Sequence, residues 1–186
     1  MVKLILGGLV VAVLVAGGWW GWVNYRYLWD QRGASFYQDE TADFTFYYPR
    51  EFVLFKPDEI KRRNEKFVAG FKNPTRDSIA CGVIELERPA GFVWDPSDQL
   101  EKSSDQLRQN QEGFEEVAAK VTDTPNGRAI LIDHRYQHDA QTRARNRQLS
   151  FATDEKFVYL TCGGPDAVFA DHLRGFELFF KTFRLL

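Results

Sequence analysis

Leu4 to Val23 is a run of 20 residues with no charged or strongly polar side chain, and it sets the first limit on what this chain can fold into. At about 1.5 Å of rise per residue, a helix of that length crosses a hydrocarbon layer about 30 Å thick. Trp19, Trp20 and Trp22 crowd the C-terminal end of the run, and Tyr25, Tyr27 and Trp29 follow it. Indole and phenol rings settle at the headgroup level, where the ring is apolar and its N–H or O–H is wet. A cleaved signal peptide has an apolar stretch of about 7–15 residues and a small-residue cleavage site. Here the run is longer, and the small residues would have to precede the bulky Trp19–Trp20 pair. No cysteine follows that could carry a lipid. Residues 1–29 therefore read as an uncleaved, single-pass anchor. Lys3 lies on one side and Arg26 and Arg32 on the other, so the charge rule is nearly balanced. The three-residue tail favours an N-terminus in the cytoplasm and a C-terminal domain on the extracytoplasmic side. Gly8, Ala12 and Ala16 recur every four residues, a stripe that lets a second membrane helix approach closely.

Residues 30–42 read as a linker and residues 43–186 as one domain, long enough for its own core. All 26 acidic residues but only 22 of the 24 basic ones follow residue 29, so this part is mildly acidic. Nucleic-acid binding needs a concentrated positive surface, so it is excluded as an expectation. The 16 phenylalanines of the chain imply a core built largely of aromatic rings.

Apolar alternation then reads as strands in hairpins. "DFTFYYP" places Phe44, Phe46 and Tyr48 on one face, "EFVLF" is a second strand, and "KFVAGF" a third. Pro57 starts a short helical turn between the last two. "SIACGVIELE" is apolar on both faces near its middle and reads as an interior strand. Ser97 is a candidate cap for a helix to about Gln111, with Gly113 as its stop. "FEEVAAKVTD" carries Val117, Ala119 and Val121 at strand spacing, and "TPNG" turns into "RAILIDHRYQ". "RNRQLSFAT" and "KFVYLTC" follow. Pro165 opens a last helix whose Phe169, Leu173, Phe176 and Phe180 form one apolar stripe. About eight strands with a mid-chain and a terminal helix define an α+β class, an antiparallel β-sheet covered by helices.

"DFTFYYPREFVLF", the helix followed by "NGRAILIDHRY", and the ending "FVYLTCGGPDAVFADHLRGFELFFKTFRLL" together resemble the PsbP-like family over roughly residues 36–186. These are α/β/α sandwich domains related to the extrinsic lumenal protein of photosystem II and to small bacterial secreted and lipoprotein homologues. The resemblance implies a binding or accessory role on a larger complex, of photosynthetic or respiratory class, without a catalytic group. The bacterial relatives are often lipid-anchored or cleaved, whereas this chain reads as carrying its own transmembrane helix.

Few residues point to chemistry. Cys81 and Cys162 each sit in an apolar strand; they form either a disulfide, if the strands meet, or two buried thiols packing as small hydrophobes. His134 and His138 are four apart in a strand, about 13 Å, too far for one metal ion. They read as a half-buried and a loop histidine. Gly163-Gly164-Pro165 lacks the further glycines and the Lys or Ser/Thr of a phosphate loop and reads as a corner. Arg143, Arg145 and Arg147 alternate along one strand, a solvated face or a docking patch for an acidic surface or lipid headgroups. The expectation is a non-catalytic, membrane-anchored accessory protein without a cofactor, metal or small-molecule substrate, docking on an integral membrane protein complex. The alternative is a small-molecule or lipid-binding module with a pocket between sheet and helix.

Overall fold

Alternating side chains give strands only where each face of the strand finds a neighbour, and the described residues satisfy that in two antiparallel sheets. The computed structural model describes residues 33–38, 43–63, 66–76 and 78–186. The expected anchor, with Gly8, Ala12 and Ala16, lies outside the described residues. Among the described residues no helix is long and apolar enough to cross a membrane. In chain order the elements are β1 (Ala34–Gln38), β2 (Phe44–Pro49), β3 (Val53–Leu54), α1 (Pro57–Arg63), β4 (Phe67–Lys72), β5 (Ala80–Glu87) and α2 (Pro96–Asn110). They continue with β6 (Glu115–Thr124), β7 (Gly127–Gln137), β8 (Arg143–Ala152), β9 (Lys156–Pro165), α3 (Asp166–Thr182) and β10 (Arg184–Leu185).

The larger sheet has seven strands in the order β3-β4-β5-β9-β8-β7-β6, and the smaller has the order β1-β2-β10. Register assigns the two faces of the large sheet. Phe71, Cys81, Val83, Leu160, Cys162, Leu149 and Leu131 share the inner face with Asp133, Arg145 and Arg147. Phe67, Gly82, Thr161, Gly163, Asn146, His134 and Tyr136 share the outer face. Helix α3 lies on the inner face, where Arg135 meets Asp166 and Arg147 meets Glu177. Helix α2 lies on the outer face over β6 and β7, where the buried Ser104 hydroxyl donates to Glu116 at 2.6 Å.

The inner face is the core, and it is aromatic. Phe169, Phe176 and Phe179 of α3 are fully buried, with Phe46 and Phe71 beneath them. The Phe179 ring meets Phe46 at 4.9 Å and Phe71 at 5.2 Å, both edge to face, the favoured geometry for aromatic pairs. The small sheet closes this layer: Phe44 stands 5.2 Å from Phe183, and the Tyr47 amide donates to the Thr182 hydroxyl at 3.0 Å. Phe180 is buried while Leu173 is only partly so, and Phe179 is a core residue outside the expected four-residue stripe. The small sheet explains the difference, because it supplies a second surface for a neighbouring strip of the helix.

Four other local readings differ from the structure. β1 lies inside the stretch read as a linker; it forms by pairing antiparallel with the next strand, β2, from Ala34↔Pro49 to Gln38↔Thr45. β10 likewise exists only by pairing with β2. The cap of α2 is Asp95, whose carboxylate accepts from the Ser97 amide at 2.9 Å, because Pro96 fills the first helical position and moves the start two residues forward. A bulge between Glu116 and Ala118 leaves Val117 unpaired and exposed, while Ala119 and Val121 keep the expected parity. Gly127 closes the β6–β7 turn at φ 106°, a conformation open to glycine.

Removing one of the central rings leaves a void that the surrounding phenylalanines cannot fill. Phe179→Ala is expected to cost about 3–5 kcal/mol, measured as a shift in the denaturant midpoint of the full chain at unchanged slope.

Candidate functional site

Three groups of residues carry what chemistry the domain has. The first is on the inner face, at the end where α3 begins. Asp133 of β7 is 3% exposed, and the Arg145 side chain reaches it through two hydrogen bonds, Nε to Oδ1 at 2.7 Å and an Nη to Oδ2 at 2.8 Å. The guanidinium also lies 4.9 Å from the centre of the Phe169 ring. Its pKa is raised, first by the hydrogen bond it donates to the Asp133 carboxylate. Arg147 approaches Asp133 at 3.9 Å and Glu177 of α3 at 3.5 Å. Arg135 joins Asp166 and Glu115, and Arg143 pairs with Glu115 as well. The arginine row offered as a docking patch thus splits. Arg145 and Arg147 are 13% and 18% exposed and tie the sheet to α3, while Arg143 is the open one at 46%. A bidentate pair beneath a helix holds geometry, since its attraction is largely offset by the loss of hydration.

The second group is the cysteine pair. Cys81 and Cys162 are direct partners across β5 and β9, with Cα atoms 4.0 Å apart and sulfurs bonded at 1.98 Å. Both are buried in the aromatic layer. The bridge closes a separation of 81 residues. Gly163 and Gly164, read as a corner, are instead paired positions near the end of β9, opposite Asn146 and Arg145. Their amides belong to the sheet, not to an anion loop.

The third group is on the outer face. His134 is fully buried, not half-buried, and neither ring nitrogen has a hydrogen-bond partner among the described residues. It stacks on Phe114 at 5.4 Å and leans on Tyr136 at 5.8 Å. Its cross-strand neighbours are Glu116 and Asn146. Burial pushes its pKa down, opposed by the nearby Asp133 charge. His138 lies in the β7–β8 loop, exposed. Among the described residues no group of three or more His, Cys, Asp or Glu could hold a metal ion.

Between α2 on β6 and β7 and α1 beside β4, the outer face forms a cavity of about 410 Å³ over β5, β9 and β8. Small residues make its floor: Ala80 and Gly82 of β5, Gly163 of β9, and Ala144 of β8. Phe67 lies against Gly82, where a Cβ would come within 2.0 Å of the ring, and Phe55 against Gly70, at 2.7 Å. Those rings form one wall; Tyr136 and His138 form the other. Between them the Thr161 hydroxyl donates to Asn146 Oδ1 at 2.8 Å. The expected pocket between sheet and helix has a counterpart: a cavity of about 300 Å³ lies between α3 and β6–β8, with Lys120, Arg147, Glu177 and Lys181 in its lining, while the 410 Å³ cavity sits on the other face. Sequence periodicity marks Gly82 and Gly163 only as weak strand residues; their use is visible once β4, β5, β9 and β8 are side by side.

An α+β domain with one helix on each face of an antiparallel sheet has known counterparts. No protein-family profile and no curated protein matches the chain. Among solved structures, cyanobacterial PsbP (CyanoP) from Synechocystis sp. PCC 6803 is similar with a TM-score of 0.58 at 13% identity, over 83% of this chain and 93% of that one. LpqN, described as involved in cell envelope biogenesis of Mycobacterium tuberculosis, gives 0.58 at 12% identity, over 81% and 83%. A Bacteroides thetaiotaomicron protein gives 0.56 at 14% identity, over 83% and 49%. The domain has a PsbP-like fold.

Two outcomes follow from the buried groups. Reducing the bridge, or Cys81→Ser with Cys162→Ser, is expected to lower stability by about 2–5 kcal/mol; alkylation of the unreduced, denatured chain at both cysteines would show that no bridge forms. For His134 the folded pKa lies below 6.5, so below that pH the unfolded chain binds more protons than the folded one. Stability therefore falls as pH drops from 6.5 toward the folded value. Glu59, held at about 2 mainly by the Lys72 hydrogen bond, and Glu115, lowered first by Arg143, act in a lower window beginning at 4.5. His134→Phe should abolish the loss between 6.5 and 4.5 and leave the lower one, as read by denaturation at stepped pH.

Proposed function

We propose that the chain is a membrane-anchored, non-catalytic accessory protein whose domain faces the extracytoplasmic side and docks on a larger integral membrane protein complex. The observation that carries this reading is the hollow on the outer face of the large sheet. Helix α2 covers β6 and β7 and α1 packs against β4, and between them β5, β9 and β8 leave a concavity with no Asp, Glu, Lys or Arg in its lining. The PsbP-like fold supports an accessory role, and the uncharged run Leu4–Val23 with the Gly8, Ala12 and Ala16 stripe supports an anchor that meets other membrane helices. A photosynthetic or respiratory complex is the partner class. Arg143, the exposed member of the arginine row, adds one charge to the rim, shared with Glu115.

A second reading has an observation of its own. A cavity of about 410 Å³ with converging polar groups falls within the range of small-molecule sites, about 300–1,000 Å³. The domain then binds a small molecule or lipid in the outer groove.

Both halves of the docking reading are open to test. Mild-detergent extraction of native membranes followed by affinity capture should recover the chain in a complex; recovery of the free monomer alone would overturn the proposal. Gly8→Leu with Ala12→Leu should release the partner while the domain stays folded. A C-terminal reporter active only in the cytoplasm would reverse the assigned orientation.

A further inference from the structure

The second reading can be carried further, because the groove's lining is selective about chemistry. Its composition is unusual for this chain. Charged residues make up 27% of the sequence, yet no Asp, Glu, Lys or Arg lines the cavity. A charged ligand entering it would lose hydration without gaining an opposite charge, a loss that grows with burial. The walls are rings: Phe67 held down against Gly82, Phe55 against Gly70, and Tyr136 across from them. Rings facing a shared gap favour a flat partner that offers its own faces and edges.

The polar groups add a direction. Thr161 donates to Asn146 Oδ1, which satisfies that acceptor and leaves the amide Nδ2 hydrogens with no acceptor among the described residues. The Tyr136 hydroxyl has no hydrogen-bond partner among them either, and burial raises its pKa, so it stays a donor. Asn146 Nδ2 and the Tyr136 hydroxyl are therefore two donors of the lining that a ligand's carbonyl oxygen can use.

We infer that the outer groove between Phe67 and Tyr136 is a binding site for an uncharged, flat ring compound bearing carbonyl acceptors. Asn146 and Tyr136 donate to the carbonyls, and Phe67 provides the stacking surface. The inference rests on the second reading above, that the groove takes a small molecule.

The test uses three probes that share one fluorescent ring system: 2-naphthamide, 2-naphthoate and 2-methylnaphthalene. Each is titrated into the full chain in mild detergent, with a Gly163→Val chain as the reference. A Cβ at Gly163 meets nothing closer than 3.7 Å, so the variant keeps the strand and fills the cavity from its floor. The expected order is naphthamide tightest, with methylnaphthalene weaker by about tenfold for the lost hydrogen bond, and naphthoate at least as weak. Asn146→Ala should weaken naphthamide by a similar factor and leave methylnaphthalene unchanged. Cyclohexanecarboxamide, read by competition, should bind more weakly than naphthamide because it is not flat.

Gly163→Val should abolish naphthamide binding at an unchanged melting temperature. If naphthoate or cyclohexanecarboxamide binds as well as naphthamide and Gly163→Val still blocks it, the groove is a site and the ligand class is wrong. If Gly163→Val leaves every probe's affinity unchanged while the variant melts like the parent, the groove is no small-molecule site and the second reading falls with it.

Discussion

The antiparallel seam between β5 and β9 holds the large sheet together. It forms eight residue pairs, from Ala80↔Gly163 to Glu87↔Lys156, with a sequence separation of 81 at the bridged pair. On one side lie β3 and β4, and on the other β8, β7 and β6, so this one ladder joins the two halves. A slip of one residue would move every side chain of one half to the opposite face. Phe71 and Val83 would then leave the aromatic layer while Leu160 stayed in it. The Cys81–Cys162 bridge sits in the ladder itself and admits one register only. A covalent constraint at the least local contact of the sheet acts where chain entropy opposes pairing most strongly.

From that parity the two surfaces acquire different jobs. The inner face grades from rings to charges along β7 and β8: Leu131 and Leu149 give way to Asp133, Arg147 and Arg145. Helix α3 matches the gradient, beginning with Asp166 beside Arg135 and ending with Phe176, Phe179 and Phe180 in the aromatic layer. Phenylalanine packing alone would let the helix slide along the sheet. The bidentate Arg145–Asp133 pair, capped by Phe169, and the Arg135–Asp166 contact fix where it starts. Ion pairs here serve placement more than net stability, because each costs hydration to bury.

Much of this order is legible in the sequence, and what is not has a physical cause. Hairpins read correctly because their signals are local: Pro125-Asn126-Gly127 turns β6 into β7, and Asp154-Glu155 turns β8 into β9. β1 and β10 do not, since two to five residues form a strand only when β2 is there to pair with them. The stripe of α3 is legible in part; Phe179 needs the small sheet to become a core position. Alternating arginines look like a solvated face because Asp133, Glu115, Asp166 and Glu177 are distant or unmarked in sequence. The groove is least legible. Its floor is four small residues from three strands, and small residues carry no periodicity signal of their own.

Those small residues link the fold to its open surface. Gly82 and Ala80 lie on β5 and Thr161 and Gly163 on β9, so the groove straddles the seam that the disulfide locks. Gly82 cannot take a side chain without displacing Phe67, and Gly70 cannot without displacing Phe55. A sheet interior gains nothing from glycine, which loses more conformational entropy than any other residue on folding and offers nothing to pack. Here the missing side chains let two rings lie down against the backbone and leave a hollow beside them. The strand propensity given up at Gly82 and Gly70 is offset by these ring-on-backbone contacts, and the hollow is the space beside them.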